Sequence, residues 1–322
     1  ADVFNFKRVN LNQSKVKFHF AEFGNGDKLF EKIKFFGPVL DFRRVIWGEG
    51  KIDFRRALFG KGHVSFEESE KKKGKLTFRL SRFDGGDITF RRTQFGEGAA
   101  IFDHCSFGCT HISFESAVAE KISISNSDIR STLDLRIKKA NEIDLSESYL
   151  HSITDLNFSK PEALNVLKIN GARNLGKIII EWEKNQVKEL ILRQDEDSSV
   201  LADQLNIIKD NFTKNGQYSD EDWAYVFFKR YQLKANKEKA MEKMGKSNPL
   251  VHIFYFLKSL IFDKMGLFAT SPNRVFLSMN IAIVLYAGIY ITIALCGAGE
   301  LINSVDASDN LDIVDKSLYH SA

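Results

Sequence analysis

The sequence contains little cysteine and little proline, with three cysteines and four prolines among 322 residues. Cys105, Cys109 and Cys296 are too few for a disulfide framework, which indicates a reducing compartment for most of the chain. Residues 1–17 mix charged and apolar side chains without an apolar core, so we expect no signal peptide. The net charge of +4 singles out no class of partner, and the hydrophobic content of 43% excludes a disordered chain.

Phenylalanine is the residue in excess, with 28 copies against 8 tyrosines and 3 tryptophans. One series of phenylalanines recurs every twelve residues without a break, which identifies an internal repeat. Its members are Phe6, Phe18, Phe30, Phe42, Phe54, Phe66, Phe78, Phe90, Phe102 and Phe114. Five residues after each comes a second series of large apolar residues, which starts with Leu11 and is otherwise aromatic except at Lys71 and Ala119. We expect both series to face one continuous core.

The residues around each phenylalanine alternate like a strand that buries one face. The position two before is mostly aliphatic, with Lys28 and Ala100 as weaker members, and the position three after is small or β-branched. A twelve-residue period without a helical pattern inside it predicts a β-solenoid, in which identical side chains stack about 4.8 Å apart. Because two bulky rings hardly fit inside one twelve-residue turn, we predict a four-sided coil of about 24 residues, and about five coils over residues 2–121.

Each unit consists of two five-residue sides, such as Ile52-Asp53-Phe54 and Ala57-Leu58-Phe59, plus two corner residues. A small residue two positions before a central phenylalanine resembles the pentapeptide-repeat family, whose members are right-handed quadrilateral β-helices. The regular two-residue insertion departs from that family's pattern. Over residues 122–195 aliphatic doublets continue at longer spacing, and there we predict irregular coils that close a solenoid spanning residues 1–195. The doublets are Leu133/Leu135, Ile143/Leu145, Leu167/Ile169, Ile178/Ile180 and Leu190/Leu192.

Helical patterns replace strands after the solenoid. We predict a helical connector over residues 196–266, with a helix that stops at Gly216, a following helix that ends in a basic stretch, and a membrane-proximal amphipathic helix. Ser271-Pro272 then provides an N-cap and a first-turn proline. Since residues 275–299 include no charged side chain, we predict a transmembrane helix within residues 267–299 and an extracytoplasmic loop over residues 300–322. The excess of lysine and arginine before this span places the solenoid in the cytoplasm.

Three stretches resemble bacterial proteins that join pentapeptide repeats to a two-helix potassium-channel pore: residues 223–230, residues 263–276 and residues 315–322. The resemblance implies an inner-membrane protein of a bacterium, a homotetramer, and potassium passing through a filter of backbone carbonyls. It also implies the start of a pore helix, at Ser317, Leu318, Tyr319 and Ser321. The chain reaches Ala322 before any filter motif. We therefore keep two hypotheses: a subunit of a potassium-channel-like ion channel with a regulatory or scaffold solenoid, or a membrane-tethered β-solenoid interaction scaffold without channel activity.

Arginine pairs follow several of the repeated phenylalanines and are expected to stack as basic columns on one face of the solenoid. They are Arg43, Arg44, Arg55, Arg56, Arg91 and Arg92. One interpretation of these columns is an anion or nucleotide site; the other, which we favour, is an ordinary solvated face. Residues 1–121 are too basic for DNA mimicry, and the aromatic rings are committed to the core, so we expect no nucleic-acid partner.

The four residues His104, Cys105, Cys109 and His111 are of zinc-ligand types. Their spacing, and the small inward slot that Cys105 occupies, favour packing, so we expect no metal. We find no phosphate loop, nucleophile elbow or pair of catalytic carboxylates, and we expect neither a cofactor nor enzymatic activity.

Overall fold

The twelve-residue pattern folds into a parallel β-solenoid, as the spacing of the phenylalanines predicts. The structure is a computed structural model that describes residues 3–296. Three sides of the coil are eight-stranded parallel sheets. The strands are numbered β1–β24 in chain order, and every third strand belongs to the same sheet because the chain visits the three sides in turn.

The strands of all three sheets are short, with two to six residues each. The first sheet contains β1, β4, β7, β10, β13, β16, β19 and β22, which are Phe4–Asn5, Lys28–Leu29, Ile52–Asp53, Leu76–Thr77, Ala99–Ile101, Val118–Ser123, Lys139–Asp144 and Leu164–Lys168. The second contains β2, β5, β8, β11, β14, β17, β20 and β23, which are Asn10–Leu11, Lys34–Phe35, Leu58–Phe59, Arg82–Phe83, Ser106–Phe107, Asp128–Ile129, Tyr149–Leu150 and Arg173–Asn174. The third contains β3, β6, β9, β12, β15, β18, β21 and β24, which are Lys15–Lys17, Val39–Asp41, His63–Ser65, Asp87–Thr89, His111–Ser113, Thr132–Asp134, Ile153–Asp155 and Lys177–Ile179.

The fourth side is held by single bridges in place of strands. Glu22 pairs with Ile46, Ile46 with Glu70, Glu70 with Gln94, and Gln94 with Val118, all in parallel. These bridges complete a four-sided coil, as predicted.

The pairing register confirms the predicted coil length. Ile52 lies beside Leu76, and Leu76 beside Ala100, so each coil adds 24 residues. Beyond that point Ala100 pairs with Ile122, and Ile122 with Ile143, which are steps of 22 and 21 residues. The coils therefore lose their regularity where the phenylalanine series ends.

The core of the solenoid consists of stacked phenylalanine rings. Because one coil takes up two repeats, the first series divides into two columns. Phe54 stacks on Phe78 with ring centroids 4.8 Å apart, and Phe66 stacks on Phe90 at 4.9 Å. The columns meet edge to face, since the rings of Phe66 and Phe78 are 5.7 Å apart at an angle of 88°. Both arrangements are favourable for aromatic pairs, which explains the surplus of this one residue type.

The corners after these phenylalanines are tight turns with a left-handed residue. Arg44, Arg56 and Arg92 have φ values of 55°, 57° and 52°. The turn closes when the residue three positions after the phenylalanine donates its N–H to the phenylalanine carbonyl, as Ala57 does to Phe54 at 3.1 Å. A left-handed conformation costs a non-glycine residue about 1–2 kcal/mol, so the stacked core must outweigh this cost at every corner. Because these turns form the corners of the coil, the arginine side chains lie on the outer edges of the solenoid.

Two helices close the C-terminal end of the solenoid, α1 (Val187–Leu192) and α2 (Ser198–Asn215). Gln204 of α2 accepts a hydrogen bond from the backbone N–H of Ile169, and Asn211 accepts one from Ile178. These side chains satisfy backbone groups of the last coil that lack a further strand. The prediction that irregular coils themselves close the solenoid up to residue 195 is corrected by these helices. The last strand ends at Ile179, and the Leu190/Leu192 doublet lies in α1.

The remaining elements are helical. They are α3 (Tyr218–Met244), α4 (Pro249–Lys258), a π-helix (Ser259–Met265), α5 (Pro272–Leu295) and two 3₁₀ turns, Pro161–Ala163 and Leu267–Ala269. The predicted stop at Gly216 is confirmed, since this residue is left-handed with φ 69° and follows α2. Asn248 caps α4 by accepting the N–H of Leu250 at 3.0 Å. The chain divides into two units, and the boundary between Ala235 and Asn236 falls within α3.

Candidate functional site: the arginine edges and the apolar helices

The six predicted arginines lie on two edges of the solenoid. Arg43, Arg44, Arg91 and Arg92 follow strands of the third sheet and line one edge, which we call the first edge. Arg55 and Arg56 follow a strand of the first sheet and line the second edge. Since two sides of the coil separate the two edges in either direction, the arginines do not form the single face that we expected.

Buried carboxylates hold the first arginine of two of the three pairs. The Arg43 guanidinium donates to both oxygens of Asp41, at 2.9 and 2.7 Å, and Arg55 makes the same fork to Asp53. Burial alone would raise the pKa of the Asp41 carboxyl, but hydrogen bonds and charge from Arg43 outweigh it and leave the pKa below its ordinary value. Arg43 and Arg55 therefore act first as structural partners of a buried charge.

The rest of the first edge is a ladder of ion pairs between successive coils. Glu68 accepts from Arg44 at 2.6 Å through one oxygen and from Arg92 at 2.9 Å through the other. The two arginines lower the pKa of Glu68 through these hydrogen bonds. Arg91 pairs with Glu115 at 3.0 Å. Each arginine of the first edge is thus already matched by a carboxylate, which leaves little net positive charge there for an external anion.

The second edge contains a more open basic cluster. Arg55, Arg56 and Arg79 line a cleft of about 280 Å³ together with Glu31 and Leu80. Arg55 is paired with Asp53, and a carboxylate oxygen of Glu31 lies 4.0 Å from the Arg55 guanidinium. The guanidinium groups of Arg56 and Arg79 make no ion pair with any carboxylate in residues 3–296. If the solenoid binds an anion, this cleft is the better place for it. Arg79 was not among the predicted site residues, although its place right after Phe78 repeats that of Arg55 after Phe54.

The cysteines of the solenoid are packed in its wall. Cys105 is buried in the small inward slot and donates from Sγ to the carbonyl of Phe78. Burial raises the pKa of this thiol to about 12, and that of Cys109 to about 11. Raised pKa values of this kind are typical of buried, structural cysteines. Within residues 3–296, no group of three or more histidine, cysteine or acidic side chains has a geometry that could hold a metal ion.

Two buried lysines form a feature that the functional interpretation of the sequence missed. Lys28 and Lys71 are 2% and 3% exposed and point into a glycine-rich corner. Lys28 Nζ donates to the carbonyls of Gly24 and Glu49, and Lys71 Nζ to those of Gly50 and Lys73. The sequence contains an indication of this feature, because both lysines interrupt repeat positions that are otherwise apolar. Burial is the largest of the effects that lower the pKa of Lys71 to about 8.

The glycine corner explains how these ammonium groups are accommodated. Gly74 has a φ of 94°, and a Cβ atom there would lie 2.5 Å from the carbonyl oxygen of Gly50. Close approach of successive coils thus requires glycine, and it leaves carbonyl groups available to the lysines. Each ammonium group occupies its own pair of carbonyls, which indicates a structural role for both lysines.

The helix α5 exposes apolar side chains along its whole length. Residues 272–293 have a mean hydropathy of 1.9 and are long and apolar enough to cross a membrane. Phe276 and Leu285 are 72% and 63% exposed. The predicted pore-helix residues Ser317, Leu318, Tyr319 and Ser321, like the rest of the predicted outer loop, lie outside the described residues.

No family model matches the chain, and neither the curated proteins nor the solved structures give a match. The likeness to pentapeptide repeats therefore rests on the residue pattern and on the four-sided coil. The likeness to channel subunits rests on short stretches of sequence alone.

Proposed function

We propose that this chain is a membrane-tethered β-solenoid scaffold, in which the solenoid presents a binding surface and α5 anchors the chain in a bilayer. One observation carries the proposal: the solenoid buries its large apolar side chains, whereas α5 exposes them. Phe54 and Phe78 are fully buried in the solenoid core, whereas Phe276 and Leu285 of α5 are largely exposed. Exposed apolar surface of this extent is unfavourable in water and favourable in hydrocarbon.

The length of α5 agrees with an anchoring role. Its 24 residues rise about 36 Å, somewhat more than the roughly 30 Å of a bilayer's hydrocarbon core. Arg274 lies in its first turn, and residues 229–246 before it hold seven Lys/Arg against two Glu. The rule that positive residues stay inside supports an orientation with the solenoid in the cytoplasm, and an inner membrane of a bacterium is the matching location.

The scaffold role rests on the solenoid surface, which is regular and repetitive. Its coils present side chains at fixed spacing, and extended repeat surfaces of this kind are used for binding macromolecules. The second edge, with Arg56 and Arg79 free of carboxylate partners in the described chain, is the part of this surface best suited to an acidic partner. We assign no catalytic role, cofactor, metal ion or nucleic acid to the solenoid surface.

A finer hypothesis is that the chain is part of a potassium-channel-like ion channel. It is supported by the order of the parts, with a solenoid, a helical connector and an apolar helix in sequence, and by the resemblance of residues 315–322 to the start of a pore helix. In that case four copies would surround the pore, and the solenoid would regulate it through the connector. The filter would come from residues that follow Ala322 in a longer gene product.

The tether is tested by membrane extraction of the full chain. We expect the wild type to stay in the membrane under alkaline carbonate. The double variant Leu285→Arg/Ile289→Arg should be released, because each arginine near the centre of a span costs about 3 kcal/mol. The matched control Leu175→Arg/Ile153→Arg changes two exposed residues of the solenoid and should stay in the membrane. Release of the wild type would contradict the proposal.

The channel hypothesis is tested by potassium flux into liposomes. Flux is measured with the longer gene product and, as its control, with the chain that stops at Ala322. Potassium-selective flux from the longer protein alone would support the channel. Absence of flux from both, with the protein inserted, would favour the scaffold without channel activity.

A further inference from the structure

The segment from Pro249 to Met265, which comprises α4 and the π-helix, exposes a large apolar surface of its own. Eight of its apolar side chains are between 40% and 73% exposed. They are Leu250, Ile253, Phe254, Phe256, Leu257, Leu260, Ile261 and Phe262. Only a narrow stripe of α4 is held by protein: Val251 is buried, and the Tyr255 hydroxyl donates to the carbonyl of Asn236 at 3.0 Å. Most of the segment therefore lacks a protein partner within its own unit.

The charged side chains at the surface of this segment are both lysines. Lys258 places its Nζ 4.5 Å from the centre of the Phe254 ring, and Lys264 is exposed on the π-helix. The single carboxylate of the segment, Asp263, is buried at 8% exposure and has its own interaction within the protein. Neither lysine forms an ion pair with a carboxylate anywhere in residues 3–296. An apolar surface bordered by cations is thus presented to the surroundings.

We propose that the segment from Pro249 to Met265 lies in the headgroup region of an anionic bilayer, with Lys258 and Lys264 at the acidic headgroups. This inference rests on the proposed tether, because only residues 266–271 separate the segment from α5. Six extended residues reach about 20 Å at most, so a membrane-spanning α5 keeps the segment close to the bilayer surface. Aromatic side chains such as Phe254, Tyr255 and Phe256 are of the type that enters the interface.

A lipid surface explains the exposed residues better than a second copy of the chain does. A second copy would bring lysines of the same sign to the contact, whereas an anionic leaflet complements them. Exposure also extends around most of the circumference of α4, since Ile253, Phe254 and Phe256 are all more than half exposed. Fluid acyl chains cover such a surface more completely than one rigid protein face.

The test measures the depth of fluorescent labels in the full chain reconstituted into vesicles. Cys296 is changed to serine, and the buried Cys105 and Cys109 stay unlabelled. A label is then attached through Phe256→Cys, with Leu285→Cys as the reference in α5 and Leu175→Cys as the reference on the solenoid. Each label is quenched with nitroxide-labelled lipids in phosphatidylcholine vesicles with or without phosphatidylserine.

We expect the label at position 256 to be quenched by shallow nitroxides, and more so with phosphatidylserine. The double variant Lys258→Gln/Lys264→Gln should lower the ratio of label at the interface to label in water. We expect about a fivefold decrease for each lysine removed, and only in the anionic vesicles. The matched variant Lys138→Gln/Lys139→Gln, at two exposed lysines of the solenoid, should change nothing. The label at position 175 should stay unquenched.

The outcomes separate this inference from the tether on which it rests. Quenching at position 285 without quenching at position 256 would overturn the inference and leave the tether standing. A label at position 256 that is shielded from water but not quenched would show a protein partner, which also overturns it. Quenching that is independent of phosphatidylserine and of both lysines would overturn the role of acidic headgroups. Absence of quenching at position 285 as well would overturn the tether and this inference together.

Discussion

Asn211 forms hydrogen bonds to both backbone groups of Ile178. Its Oδ1 accepts the Ile178 N–H and its Nδ2 donates to the Ile178 carbonyl, each at 2.9 Å. A side chain of α2 thus replaces the strand that a further coil would supply. Because Asn211 is 1% exposed, water cannot take over these bonds. The solenoid is closed at this end by polar side chains of a helix as well as by apolar packing.

Removing this pair of hydrogen bonds should weaken the solenoid at its end. We expect Asn211→Leu to lower the free energy of unfolding by about 2–4 kcal/mol, because two buried backbone groups lose their partners. Urea unfolding followed by circular dichroism measures it. Asn206→Leu, on a less buried position of the same helix, is the control and should cost less than about 1 kcal/mol. Equal effects of the two changes would refute the capping role.

The aromatic stack should be most sensitive in its middle coils. Phe78 is fully buried and its ring lies 4.8 Å from those of Phe54 and Phe102. We expect Phe78→Ala to cost about 3–5 kcal/mol, because it leaves a cavity between stacked rings. Phe20 is 63% exposed at a corner, and Phe20→Ala should cost less than about 1 kcal/mol. Chemical denaturation distinguishes the two, and similar midpoints would show that the stack contributes little.

Lys71 should make the stability of the solenoid depend on alkaline pH. Its pKa is about 8 in the folded chain, against an ordinary value of 10.5. Between these values the unfolded chain binds the proton and the folded chain does not, so stability rises with pH. We expect the wild type to gain about 3 kcal/mol relative to Lys71→Met between pH 8 and pH 10.5. Unfolding curves of both proteins across this range check it, and parallel pH profiles would contradict it.

Asp53 should make the stability of the solenoid depend on pH at the acid end of the range. Burial would raise the pKa of its carboxyl, but hydrogen bonds from Arg55 and Lys51 hold the pKa below its ordinary value. The stabilisation is therefore present above the unfolded-state pKa near 4 and is lost as the pH falls through the folded-state value. We expect Asp53→Asn to flatten the acid side of the stability profile. Asp84→Asn, which removes a more exposed carboxylate paired with Arg82, is the control, and an equal change in both variants would contradict the role of the buried pair.

Much of the fold follows from two simple patterns in the sequence. The size of a phenylalanine ring and its twelve-residue spacing lead to the four-sided coil. Gly216 and Ser271-Pro272 predict the end of α2 and the start of α5, because each has a defined capping role. The Leu190/Leu192 doublet misled the prediction, since two apolar residues at this spacing do not distinguish a strand from a short helix.

The candidate site was harder to predict, for a geometric reason. Arginines twelve residues apart, such as Arg43 and Arg55, look equivalent in sequence. In a coil of 24 residues, however, they lie on two different corners. Nor does the sequence reveal which arginines are neutralised, because Glu68 meets Arg44 and Arg92 only after three coils have stacked. Partners that lie a full coil apart are visible only in the structure.

Glu68 therefore controls how basic the first edge is. Its carboxylate is shared by Arg44 and Arg92, and both ion pairs are partly exposed. Glu68→Gln should leave the melting temperature almost unchanged, because ion pairs of this kind contribute little to stability. It should also leave two guanidinium groups without a carboxylate, so that inorganic phosphate binds and raises the melting temperature more than in the wild type. Glu97→Gln, which removes the exposed partner of Lys73, should not respond to phosphate in this way. If phosphate stabilises all three proteins equally, the first edge has no latent anion site, and the cleft of Arg56 and Arg79 is left as the only candidate in the described part of the solenoid.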